Sequence, residues 1–130
     1  MTVSTVNMQY PASDTTDSVQ LIQDPTVHTI SSGTPVKIAG AFKCKDNTLT
    51  IILTNSAEAS GSAVLKKGVY PNAILGDLTV TVAAGKTVVI KIENPSRFEQ
   101  ADGSLSITFS DSYAGTIYAF GKKAGLASAS

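Results

Sequence analysis

Residues 78–92, LTVTVAAGKTVVIKI, carry the clearest pattern in the sequence. Apolar residues alternate with others on both sides of a short loop: Leu78, Val80 and Val82 before it, and Val88, Ile90 and Ile92 after it. A period of two places each apolar set on one face of a β-strand. Ala83-Ala84-Gly85 suits a three-residue hairpin loop that ends in a left-handed glycine. The stretch therefore predicts a β-hairpin in which Val82 pairs with Lys86 and both strands turn their apolar sets to one side.

The same alternation recurs along the chain after residue 35. Apolar sets at strand spacing are Val36, Ile38 and Phe42; Leu49, Ile51 and Leu53; and Leu105, Ile107 and Phe109. Asp102-Gly103 is a strong turn signal, and residues 116–120 complete the pattern. About seven to eight short strands without a convincing helix predict an all-β fold, an antiparallel β-sandwich or jelly roll, with a barrel as the alternative. The alternating sets, including Leu78, Val80, Val88 and Ile90, are expected to be buried.

The chain of 130 residues is long enough for one domain with its own core. Residues 1–35 differ from the remainder because they contain three aspartates and no lysine or arginine, and prolines interrupt them. The composition predicts an extended N-terminal arm over residues 1–35 with one or two short strands. A β-sandwich domain over residues 36–121 and a flexible tail over residues 122–130 complete the expected organisation.

The arm supplies the candidate partner interface. Its isolated apolar residues are Val3, Val6, Met8, Tyr10, Leu21 and Ile22. A free terminus of this composition buries too little apolar surface to offset the entropy of ordering. We therefore expect part of the arm to dock on another chain, where it adds a strand to a sheet edge. The competing prediction is that the arm folds back as an edge strand of its own sandwich.

Composition and charge limit the possible partners and location. The net charge is zero and only 15% of residues are charged, which argues against nucleic-acid binding. No apolar run approaches the ~18 residues of a membrane helix, and the start lacks the basic and apolar regions of a signal peptide. One cysteine permits no internal disulfide. We expect synthesis in the cytoplasm, although the Val-, Ile- and Thr-rich composition is that of an extracellular or particle-surface module, a combination found in virion proteins.

Few residues are candidates for chemistry. His28 is the only histidine, and Cys44 shares the parity of Phe42, which predicts a small buried apolar residue. Calcium-loop and phosphate-loop motifs are absent, so we expect no catalytic, cofactor-binding or metal residues and no cofactor. An enzyme of unknown type would rest on His28 and Cys44 alone. Tyr70, Tyr113 and Tyr118 form either a sugar-stacking platform or ordinary packing residues.

A family resemblance covers residues 68–120. The features that carry it are Tyr70-Pro71-Asn72, LGDLTVTV at residues 75–82, Ala84-Gly85-Lys86, Arg97-Phe98, Gln100, Asp102-Gly103-Ser104 and Phe109-Ser110. In these the chain resembles small accessory proteins of tailed-phage virions, of the capsid decoration or head-accessory β-sandwich type.

The resemblance implies a non-enzymatic decoration protein on the capsid surface, made in the host cytoplasm and binding the major capsid protein. A homo-oligomer is expected, with a trimer as the favoured form, and no contact with nucleic acid or membrane. The alternative from another class is a carbohydrate-binding or adhesin β-sandwich module, which a virion could also carry.

Overall fold

The computed structural model describes residues 3–8, 12–13, 20–21, 27–31, 33–43 and 49–121. The strands are β1 (Ser4–Asn7), β2 (Ala12–Ser13), β3 (Gln20–Leu21), β4 (His28–Ile30), β5 (Val36–Ala39), β6 (Thr50–Asn55), β7 (Gly61–Leu65), β8 (Leu78–Val82), β9 (Thr87–Lys91), β10 (Leu105–Phe109) and β11 (Gly115–Phe120). Among the described residues, one helical turn, α1 (Pro95–Phe98), and two 3-10 helices, Ala41–Lys43 and Pro71–Leu75, connect them.

Two sheets packed on each other make a β-sandwich, which confirms the predicted all-β fold. The five-stranded sheet has the order β1-β5-β10-β7-β8, and the four-stranded sheet has the order β4-β11-β6-β9. Pairing is antiparallel in both sheets except between β1 and β5, which run parallel. A separate two-stranded ribbon joins β2 to β3. From residue 36 onward the described chain has seven strands, β5 to β11, in line with the predicted number.

The core lies between the sheets and follows the alternation in the sequence. Strands β7, β10 and β11 bury every second residue. The predicted core residues that the structure buries are Leu49, Ile51, Leu53, Leu105, Ile107 and Phe109. The prediction is wrong for Leu78, which is 39% exposed, and Val80, Val88 and Ile90 are only half-buried. These four residues lie on β8 and β9, which are edge strands, so their outer sides face solvent.

The predicted hairpin is wrong, although its alternation is right. β8 pairs with β7 and β9 pairs with β6, so the two strands belong to different sheets and present their apolar sets to the core from opposite sides. In the connecting turn Lys86 N donates to Ala83 O over 3.1 Å, and Gly85 at the third position has φ 71°. That conformation is typical of a type II turn. Turns of type II twist against paired strands and splay them apart.

Two strands of residues 1–35, β1 and β4, belong to the sandwich, whereas β2 and β3 form the separate ribbon. β1 pairs with β5 and begins with a hydrogen bond of 3.0 Å from Ser4 N to Pro35 O. β4 pairs with β11 at the edge of the other sheet. Val6 and Ile30 from these strands are buried in the core. The competing prediction, that this segment folds back as an edge of its own sandwich, agrees with the positions of β1 and β4. The predicted tail at residues 122–130 lies outside the described residues.

Candidate interaction surface

A cluster of exposed apolar side chains lies within ten consecutive residues, 69–78, which we call the apolar loop. Its exposed members are Val69, Tyr70, Ile74, Leu75 and Leu78. Ile74 is the extreme case, with 91% of its surface exposed. Single exposed apolar residues are normal on soluble proteins, whereas a cluster of them marks an interaction site. The apolar loop is therefore the candidate functional surface among the described residues.

The local sequence explains the shape of the loop. Pro71 occupies the start of the 3-10 helix Pro71–Leu75, where its fixed φ is favourable and its missing N–H costs nothing. Gly76 ends the helix with φ 82°, a conformation that glycine adopts readily, and donates its N–H to Ala73 O over 2.9 Å. The helix buries none of its residues. Its apolar side chains thus add nothing to the core and face solvent.

Arg97 of α1 holds the C-terminal half of the loop. Its Nε donates to Gly76 O over 2.9 Å. Its Nη2 donates to Asp77 O over 3.2 Å and to Leu75 O over 3.4 Å. The guanidinium also lies 5.0 Å from the ring centroid of the buried Phe98, within the range of a cation–π contact. One side chain anchored beside the core therefore fixes three consecutive carbonyls of the loop.

Further hydrogen bonds hold the N-terminal half. Gly68 N donates to Arg97 O over 2.8 Å, and Val69 N donates to Glu99 O over 3.0 Å. A Cβ at position 68 would lie 2.0 Å from Glu99 O, so this close approach requires glycine. Asn72 Nδ2 donates to Asn94 Oδ1 over 3.0 Å and to Ser96 Oγ over 2.7 Å. The loop is consequently tied at both halves to the segment around α1.

Where the loop leads into β8, its residue Asp77 forms an ion pair with Lys66. Lys66 Nζ lies 2.8 Å from Asp77 Oδ2, and Lys67 N donates to Asp77 Oδ1 over 2.7 Å. The hydrogen bond from Lys66, followed by that from the Lys67 backbone, lowers the pKa of the Asp77 carboxyl below its ordinary value. Asp77 therefore stays ionised at neutral pH beside the apolar side chains.

This arrangement is suited to protein binding. The exposed apolar side chains of the loop include a tyrosine, and the charged Asp77 and the amide of Asn72 lie beside them. An apolar centre with a polar rim is the usual anatomy of a protein interface. Because the backbone of the loop is already fixed by hydrogen bonds, binding would require little further ordering, which favours affinity.

The outer face of the four-stranded sheet is a second surface of interest. Tyr118 and Phe120 of β11 stack there with ring centroids 5.3 Å apart. The strand register places Tyr118 next to Ile52 of β6 and Ile52 next to Val89 of β9, which gives an apolar row across three strands. A neighbouring row consists of the threonines Thr29, Thr116, Thr54 and Thr87. The hydroxyl oxygens of Thr54 and Thr87 lie 2.9 Å apart and share a hydrogen bond.

The structure describes the side chains of three of the six predicted interface residues, Val3, Val6 and Met8. Val3 is exposed and Met8 is half-buried against the core. Val6 was predicted as an interface residue, but it is 5% exposed and packs in the core of its own chain. Leu21 lies in β3, and the structure describes its backbone only. Tyr10 and Ile22 lie outside the described residues.

The three tyrosines do not form a common platform. Tyr113 is buried and donates its hydroxyl to Thr54 O over 2.9 Å, and burial raises the pKa of its phenol to about 12. Tyr70 is exposed on the apolar loop, whereas Tyr118 lies on the outer sheet face, where burial also raises its pKa.

His28 is half-buried in β4 opposite Ile117. Cys44, expected to be buried, lies outside the described residues.

Neither a metal centre nor a membrane helix is found in the described part of the chain. Its histidine, cysteine and carboxylate side chains form no group of three or more that could hold a metal ion. None of its helices is long and apolar enough to cross a membrane.

No family model matches the sequence, and comparisons with curated proteins and with solved structures gave no match.

The sequence interpretation missed the apolar loop, although a signal for it exists. Residues 69–75 read VYPNAIL, with five apolar or aromatic residues where the turn-forming Pro71 and Asn72 predict a loop. A run of apolar residues in a segment that cannot join a sheet is either buried or functional. Only the structure decides between these, because the helix at residues 71–75 has no buried residue.

Proposed function

We propose that this chain is a non-enzymatic structural protein of a virion, which decorates the capsid by docking its apolar loop on the major capsid protein. The observation that carries the docking role is a hydrogen-bonded loop that exposes five large apolar side chains and buries none of its helix. The resemblance of residues 68–120 to tailed-phage accessory proteins supports the capsid as the partner. The neutral net charge also favours a protein partner over nucleic acid.

The mechanism is cementing by mass action. Each copy binds only the assembled shell and therefore stabilises it relative to the dissociated subunits. The apolar loop supplies the buried centre of the contact, and the Lys66–Asp77 pair and Asn72 lie at its rim. Buried apolar and aromatic anchors dominate the energy of such contacts, so Ile74, Leu75 and Tyr70 are expected to contribute most.

Co-sedimentation with empty capsids tests the proposal. The gene neighbourhood is searched for a major capsid gene, whose product is assembled into empty shells, mixed with the purified chain and pelleted. Saturable binding at a fixed number of copies per shell, together with a higher melting temperature of the shell, is expected. A chain that remains in the supernatant at high concentration, or a gene without any capsid gene beside it, would contradict the capsid assignment.

Glycan binding is the second candidate, and the outer face of the four-stranded sheet favours it. Tyr118 and Phe120 present stacked rings beside a row of threonine hydroxyls, and aromatic rings with nearby hydroxyl groups suit sugar recognition. Binding of the purified chain to a glycan array, lost in Tyr118→Ala and retained in Tyr70→Ala, would support this role. Absence of binding to every glycan on the array would exclude glycan binding for those glycans.

A further inference from the structure

The β8 edge of the five-stranded sheet is open in the part of the chain that the structure describes. Within the described residues β8 pairs with β7 on one side and with no strand on the other. Its sequence, LTVTV, contains no charged residue, proline or glycine. Natural proteins usually guard such edges with lysine, proline or a bulge, because an open edge pairs with other strands. β9, the corresponding edge of the other sheet, ends with the exposed Lys91.

The β8 sequence is also self-complementary. When two identical strands pair antiparallel across a two-fold axis at Val80, each Val80 faces its counterpart and each Thr79 faces Thr81 of the second copy. Leu78 faces Val82 in the same register. Apolar residues thus meet apolar residues on one face and threonines meet threonines on the other, and both kinds of cross-strand pair are favourable.

We propose that a second copy of this chain docks on β8, and that the two five-stranded sheets join into one continuous sheet across a two-fold axis. The contact is isologous, as in most homodimers. No like charges meet along the strand, since it has none. Beyond the strand, Asp77 of one copy lies opposite Ala83 of the second copy, at the start of the turn that carries Lys86. The charges flanking the strand are therefore opposite in sign.

The size of the contact predicts a reversible dimer. Five residues of strand span about 17 Å at ~3.4 Å per residue. A strand of that length buries less than the ~1,200 Å² of a standard stable interface, so dissociation is expected in the micromolar range or above. Dimerisation leaves the tip of the apolar loop free, so that each dimer carries two such loops. The dimer stands independently of the proposed capsid role, whereas a gain in capsid binding from two linked loops rests on that role.

Sedimentation equilibrium over a concentration series is the first test. The average mass should rise with concentration from 13.4 kDa toward twice that value. Thr79→Lys combined with Thr81→Lys places like charges opposite each other and should keep the folded chain monomeric. Thr5→Lys on β1, the opposite edge of the same sheet, is the control and should leave the dimer unchanged. A monomer at millimolar concentration, a trimer, or a charge variant that still dimerises would overturn the proposal.

Thiol trapping tests the register without depending on the charge variant. Thr79→Cys and Thr81→Cys are made separately, each with Cys44→Ser so that the introduced thiol is the only one. Directly opposed positions lie about 4.5–5.5 Å apart at Cβ, close to disulfide geometry, whereas two thiols at the same position lie about 7–8 Å apart. Mixing the two variants should give a disulfide-linked dimer under mild oxidation, and either alone should give much less. Equal cross-linking in all three samples would refute the two-fold register.

Discussion

The side-chain amide of Asn55 donates a hydrogen bond to the carbonyl of Val82 over 3.0 Å, and both residues are buried. Asn55 ends β6 in the four-stranded sheet, whereas Val82 ends β8 in the five-stranded sheet. The Asn55 backbone N–H donates to Lys86 O over 2.9 Å, so this residue contacts both ends of the turn that crosses between the sheets. These two hydrogen bonds of Asn55 fix the short turn between β8 and β9, and so explain how strands so close in sequence join different sheets.

Asn55→Ala should lower the free energy of unfolding by about 1–3 kcal/mol, because it removes the buried hydrogen bond that the side-chain amide donates to the carbonyl of Val82. The same amide also donates to Ala59 O over 3.0 Å. Urea denaturation followed by circular dichroism measures the change. Ser56→Ala is the matched control and should change stability by less than about 0.5 kcal/mol, because the Ser56 hydroxyl makes an exposed hydrogen bond. Equal effects of the two variants would contradict the role of Asn55.

A truncated protein that begins at Thr34 should fail to fold stably. The truncation removes β1 and β4, one edge strand from each sheet, and takes Val6 and Ile30 out of the core. Thermal denaturation at high dilution, compared with the full chain, measures the loss. A truncated chain that melts within a few degrees of the full chain but no longer associates would show instead that these residues act on another molecule.

The stability of the folded chain should decrease at alkaline pH through Tyr113. Burial raises the pKa of this phenol from 10.0 to about 12, so the folded state holds the proton more tightly than the unfolded state. Its contribution is complete below pH 10.0 and is lost as the pH rises toward about 12. The expected slope is about 1.4 kcal/mol per pH unit in that interval.

Tyr113→Phe tests that contribution. The unfolding free energy, measured from pH 9 to 12, should fall with pH in the native chain and should fall much less in the variant, which has no phenol at position 113. Tyr118→Phe is the comparison, since Tyr118 is only half-buried and its replacement leaves the titration of Tyr113 in place. A Tyr113→Phe variant that retains the full alkaline loss would show that another group causes it.

Arg97→Ala should loosen the apolar loop and leave most of the core intact. The guanidinium fixes the carbonyls of Leu75, Gly76 and Asp77, and these bonds lie at the surface side of α1. Hydrogen exchange at residues 75–79 should accelerate by about tenfold or more, while exchange in β10 and β11 stays slow. Uniform acceleration across the sandwich would mean that Arg97 supports the whole fold and has no specific role in the loop.

The sequence predicted the fold class through the alternation of residues such as Ile51, Leu53 and Ile107, because a period of two determines which side chains point inward. It did not predict which strands pair. The pattern of residues 78–92 is the same whether β8 and β9 form a hairpin or belong to opposite sheets, and the choice depends on the turn at Gly85 and on Asn55, a contact distant in sequence.

The sequence left the pairing of the short N-terminal strands open for a related reason. Val6 is an isolated apolar residue, yet one inward residue is sufficient for a four-residue edge strand. The candidate surface was missed because composition does not tell whether the apolar residues Ile74 and Leu75 face the core or solvent. The structure supplies that distinction, because the helix at residues 71–75 buries none of its residues and Arg97 hydrogen-bonds the carbonyls of Leu75 and Gly76.

Capsid binding by a loop variant tests the central claim most directly. Ile74→Asp combined with Leu75→Asp places two charges at the exposed tip of the apolar loop, where neither side chain supports the core. Val89→Asp is the matched control, an exposed valine on the other sheet. We predict that the loop variant keeps the native melting temperature within about 2 °C and binds shells at least about 100-fold more weakly, while the control binds normally. Unchanged affinity of the folded loop variant would contradict the claim that the apolar loop is the docking surface.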